Sequence, residues 1–101
     1  MSELAGWLDR HTSRAPDALG ARVRDEVLKT DVGEPLPAAL ASAALAALDR
    51  VVVHPGDRSA ALDLLAADAL VTLALLAQAE RAPEDLGAFA TSLLQAVPPD
   101  A

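Results

Sequence analysis

The chain has no cysteine and no tyrosine, a single lysine, two histidines and two aromatic residues, Trp7 and Phe89. Each scarcity removes a class of chemistry. Without cysteine there are no disulfides, no thiolate metal ligands and no thiol nucleophile, which fits a cytoplasmic protein. Lys29 is the one candidate for Schiff-base chemistry, and no apolar segment surrounds it. His11 and His54 lie far apart in the sequence, with neither an HExxH pattern nor the ExxH pair of di-iron bundles. There is no glycine-rich nucleotide loop, nucleophile elbow or paired set of catalytic carboxylates. The expectation is a chain with no catalytic activity of its own, no cofactor and no metal.

What is present is alanine, leucine and valine. Hydrophobic residues make up 52% of 101 residues, ample for one core and too short a chain for two. Alanine and leucine are the strongest helix formers, and residues that favour strands are scarce. The fold class expected is all-α: a bundle of four to five helices in a single domain spanning residues 1–101.

The net charge is −7, a sign that repels phosphate backbones and anionic lipid, so neither nucleic acid nor membrane is an expected partner. Residues 1–34 carry seven acids and five bases, and residues 35–101 carry eight acids and three bases. The start, Met1-Ser2-Glu3, is not a basic leader before an apolar run. The run from Ala60 to Ala79 approaches the length of a membrane span. Asp63 and Asp68 interrupt it, each costing about 3 kcal/mol near a bilayer centre, so it reads as a helix of a soluble protein.

The periodicity places five helices. The first runs from Glu3 to Arg14, with Ser2 as N-cap and Leu4, Trp7, Leu8 and His11 at i, i+3, i+4, i+7. The second runs from Pro16 or Asp17 to Thr30, with Leu19, Val23 and Val27 on one stripe. Its Arg22–Glu26 and Asp25–Lys29 pairs suggest a solvated face. Asp31-Val32-Gly33 stops it. Glu34-Pro35-Leu36-Pro37 is a rigid connector to a third helix over 37–53. His54-Pro55-Gly56-Asp57 is a turn, with Asp57 as N-cap of a long central helix over about 58–82. Pro83 breaks it, a fifth helix covers 84–97, and 98–101 is a frayed tail. Residues 1–33 read as the more polar hairpin and 37–97 as an apolar three-helix core.

Small, acidic, helical chains include the acyl carrier proteins, and Asp57-Arg58-Ser59 invites comparison with their motif. That motif places the serine directly after the aspartate and before a leucine. Here Arg58 intervenes, Ala60 follows, and the next helix is too long, so Ser59 reads as a first-turn residue. One glycine and an aspartate at this turn do not make a phosphate cradle.

The central helix carries the most informative polar residues. One side holds Asp63, Ala67, Ala74, Gln78 and Arg81. The opposite arc holds Ala61, Leu64, Leu65, Ala69, Val71, Leu75 and Leu76, with Asp68 and Thr72 inside it. That arc is expected to be the buried one, so Asp68 should need a partner. Cover for this helix from within the chain is thin, and a homodimer with helices 4 and 5 near the two-fold axis is expected. The leading function is a protein–protein interaction or assembly module. The alternative is a small-molecule-binding regulatory domain with an apolar pocket. Candidate binding residues are Asp68, Thr72, His11 and Trp7.

Overall fold

A computed structural model describes residues 2–29, 34–53, 56 and 58–97. These residues are 88% helical, with five helices and no strand. The helices are α1 (Ser2–Thr12), α2 (Asp17–Leu28), α3 (Leu36–Val53), α4 (Arg58–Arg81) and α5 (Leu86–Ala96). The side chains of residues 2–4, including the expected cap Ser2 and stripe member Leu4, lie outside the description. So do the expected stop at Asp31–Gly33, the turn residues His54, Pro55 and Asp57, and the tail.

The prolines act where expected. The carbonyl of Pro35 accepts from the Ala39 amide at 2.9 Å, opening α3, and Pro37, without an N–H, sits in the first turn where none is needed. Ahead of Pro83, Ala82 leaves helical geometry at φ −152° and ψ 78°. Pro83–Asp85 form a short 3₁₀ turn before α5, which therefore starts at Leu86 rather than Glu84.

The α3·α4 pair is the spine of the fold. Ala39, Ala43, Ala44 and Ala47 of α3 and Ala66, Ala67, Ala74 and Ala77 of α4 are buried, around Leu40 and Leu70. Side chains this small let two helix backbones come close, so dispersion contacts accumulate along the seam. By length and composition both helices could also cross a membrane, with mean hydropathies of 1.7 and 2.0; here they pack on each other.

This packing reverses the expected orientation of α4. The middle of that arc, with Ala61, Leu64, Leu65 and Leu76, faces out, its members Ala69 and Val71 pack half-buried against the core, and Ala60, Asp63, Ala66, Ala67, Leu70, Leu73, Ala74 and Ala77 face in. The helical phase is as read, but the inner side is the opposite one. Close approach of α3 favours the alanine side, and the one carboxylate on it is neutralised by arginines from two neighbours. The core also draws on the N-terminal hairpin more than expected. Trp7, Leu8, Val23 and Val27 join it, whereas Leu93 is the buried residue of α5.

Candidate functional site

Two neighbourhoods and one surface combine polar or exposed side chains in ways the core does not require. The first surrounds Trp7 and His11. Four residues apart on α1, they share a face, and their rings stack with centroids 4.1 Å apart and planes 21° apart. His11 Nδ1 lies 2.8 Å from the Trp7 carbonyl oxygen; the carbonyl can only accept, so Nδ1 carries the proton. Nε2 then faces Glu80 Oε2 at 3.6 Å, a contact that becomes an ion pair in the protonated ring. Glu80 Oε1 accepts from Trp7 Nε1 at 2.9 Å. One carboxylate at the end of α4 thus accepts from the Trp7 indole and lies beside the His11 imidazole.

Beside His11 opens a cleft of about 230 Å³, between His11 and Thr12 of α1, Leu19 and Val23 of α2, and Ala69 and Thr72 of α4. Thr12 donates to the Leu8 carbonyl at 2.7 Å and Thr72 to the Asp68 carbonyl at 3.1 Å. Each hydroxyl spends its proton on its own helix and remains an acceptor for whatever enters. The cleft falls below the range of about 300–1,000 Å³ usual for drug-sized ligands.

The structure therefore brings three of the four candidate residues together. His11 and Thr72 line one cleft, with Trp7 stacked on His11. Asp68 stands apart. It was expected among leucines, partly buried and partnered, but it is exposed and forms no ion pair among the described residues. The reason is the reversed inner face of α4: the arc holding Asp68 looks into solvent.

The aspartate that does need partners is Asp63. It is 5% exposed and Glu26 is 2% exposed. Arg22 donates to Asp63 Oδ1, and Arg50 donates to Glu26 Oε1 and, at 3.3 Å, to Asp63 Oδ1. Lys29 Nζ lies 3.8 Å from Glu26 Oε1. Glu26 Oε2 is buried with no hydrogen-bond partner among the described residues. Burial works against the charge on Arg50, but hydrogen bonds and charges from Asp63 and Glu26 outweigh it and raise its pKa above the ordinary arginine value. The Arg50 guanidinium therefore keeps its proton, and the cluster clamps α2, α3 and α4 rather than performing acid–base work. Sequence reading placed Arg22 and Glu26 on a solvated face. The missed signal was the pair of aspartates in α4, one of which had to face its neighbours. Among the described residues no group of three or more His, Asp or Glu could hold a metal ion.

The surface is the outer face of α4. Leu64 and Leu65 are 51% and 56% exposed and Leu76 is 38% exposed, with Ala61, Asp68 and Thr72 on the same side.

The chain matches no protein-family model, no curated protein and no solved structure.

Proposed function

We propose that this chain is an interaction module that works by assembling with a second copy of itself through the outer face of α4, with no catalytic activity of its own. The observation that carries this reading is the exposure of Leu64, Leu65 and Leu76 along one face of the longest helix. Contiguous apolar patches beyond a few hundred Å² are unusual on monomers and mark interaction sites. The scarcity of catalytic residue types in the sequence, with no cysteine, no tyrosine and one lysine, supports a binding role. The charge of −7 supports a partner other than nucleic acid or anionic membrane, and the lack of cysteine suits the cytoplasm.

Light scattering coupled to size exclusion at micromolar concentration tests this reading. The expected mass is twice 10.4 kDa. Leu65→Glu should return one chain mass with unchanged far-UV circular dichroism, because the side chain it replaces is exposed. A wild-type monomer across the range overturns the proposal, as does recovery of the wild-type chain with vesicles rather than in the supernatant.

A second reading has one specific observation behind it. The cleft that joins His11 and Thr72 beside Trp7 suits a small apolar ligand with a hydrogen-bond donor, in a regulatory domain. Native mass spectrometry of freshly purified protein separates the two: a small molecule retained per chain favours this reading, and a ligand-free dimer favours the first.

A further inference from the structure

The outer face of α4 is self-complementary in a way that specifies how two copies meet. Ala61, Leu65, Asp68, Thr72, Leu75 and Ala79 recur at alternating spacings of four and three, the seam of a coiled coil. Ala61, Leu65, Asp68 and Thr72 are exposed, and Leu75 and Ala79 are half-buried. The seam is also a palindrome about residue 70. A two-fold axis level with that residue sets Ala61 against the partner's Ala79, Leu65 against the partner's Leu75, and Asp68 against the partner's Thr72. We infer that two copies of this chain pair antiparallel along α4, in this register. The inference rests on the self-assembly reading and adds its geometry.

Three observations favour this arrangement over a parallel one. The first is charge. Parallel pairing sets Asp68 directly against its own copy, and like charges face to face are destabilising. Antiparallel pairing offsets the two carboxylates by about 6 Å along the axis, four residues at 1.5 Å each. Each then meets a threonine hydroxyl, which can turn from its own Asp68 carbonyl to donate across the interface.

The second is shape. Leu64 and Leu65, in the N-terminal half of α4, protrude at 51% and 56% exposure. In the C-terminal half, Leu75 is half-buried and Leu76 is 38% exposed. Antiparallel docking sets the protruding pair of each chain against the recessed pair of the other. Parallel docking would oppose protruding to protruding.

The third is the small residue at each end of the seam. Ala61 and Ala79 allow the helix axes to approach closely, as alanines do at the α3·α4 contact. The two Asp68–Thr72 layers at the centre select this register, since polar layers confined to one place in an apolar seam fix alignment and orientation at some cost in affinity.

The absence of cysteine makes the test clean. Leu65→Cys and Leu75→Cys are made in separate chains, mixed, and oxidised or bridged with a short bismaleimide. Antiparallel pairing yields a mixed 65–75 cross-link and little product from either variant alone. Like-to-like cross-links within each single variant overturn the antiparallel register while leaving self-assembly standing. If wild-type protein is a monomer, the assembly reading fails first and the register with it. Should either substitution disturb folding, Asp68→Cys mixed with Thr72→Cys, both at exposed positions, poses the same question by oxidation alone, whose short reach separates a mixed disulfide, expected for the antiparallel register, from like-to-like disulfides, which overturn it.

Discussion

Trp7 Nε1 donates to Glu80 Oε1 at 2.9 Å across 73 residues of sequence, tying the first helix to the end of the fourth. The same carboxylate lies 3.6 Å from His11, and the aromatic stack of α1 is tied to it through the Trp7 indole. Trp7→Phe removes the donor and keeps an aromatic ring, and should cost about 1 kcal/mol. Trp7→Ala also empties buried volume and should cost about 3–5 kcal/mol. Urea denaturation followed by far-UV circular dichroism measures both. Equal losses would show that the hydrogen bond, and not the ring, anchors the hairpin.

Arg50 joins Glu26 of α2 to Asp63 of α4. Arg50→Met should destabilise by about 1–3 kcal/mol, because buried Glu26 loses its hydrogen-bond donor and keeps only Lys29 at 3.8 Å, while Asp63 keeps Arg22. Adding Glu26→Met removes the poorly compensated charge and should recover part of the loss. A double variant no more stable than Arg50→Met would refute the coupling. The folded-state pKa of Arg50 is raised, so its contribution is present at every pH below the unfolded arginine value and is lost only above it. The stability difference between wild type and Arg50→Met should therefore stay flat from about pH 6 to about pH 9.

Gly56 has φ of +92° and open space where a side chain would stand. Gly56→Ala should cost about 1–2 kcal/mol from backbone strain alone. Gly87 in α5 also has open space and no positive φ, so Gly87→Ala should stabilise by about 0.5–1 kcal/mol. Thermal melts of the two variants should move in opposite directions, and a shift of the same sign in both would overturn the conformational assignment.

Asp68→Leu extends the apolar stripe without touching the core. The stability of the monomer, measured at high dilution, should change by less than about 0.5 kcal/mol. Self-association, followed by sedimentation equilibrium, should tighten, since a carboxylate no longer has to be desolvated. Weaker association would mean that Asp68 makes a contact the dimer depends on.

The all-α class, the five helices and their ends within a few residues were legible in the sequence. Ala, Leu and 3.6-residue periodicity act locally, and the prolines at 35, 37 and 83 punctuate whatever the helices pack against. The stripe Leu19, Val23 and Val27 was legible for the same reason, because a narrow apolar line on a polar helix has one way to face. The neighbours Trp7 and His11 followed from their spacing on α1.

The inner side of α4 was not legible, because that helix is apolar nearly all round and periodicity cannot choose between two apolar faces. Tertiary contact chose. α3 presents a row of alanines, and the side of α4 that lets it come closest is the alanine side, even though that side carries Asp63. The choice was affordable because Arg22 and Arg50 arrive from two other helices to neutralise the charge, a convergence across 41 and 13 residues that no local pattern encodes. By the same packing Glu26, which reads as a surface residue beside Arg22, is buried. Asp68 and the leucines around it are left facing outward, where a second chain and not the core can cover them.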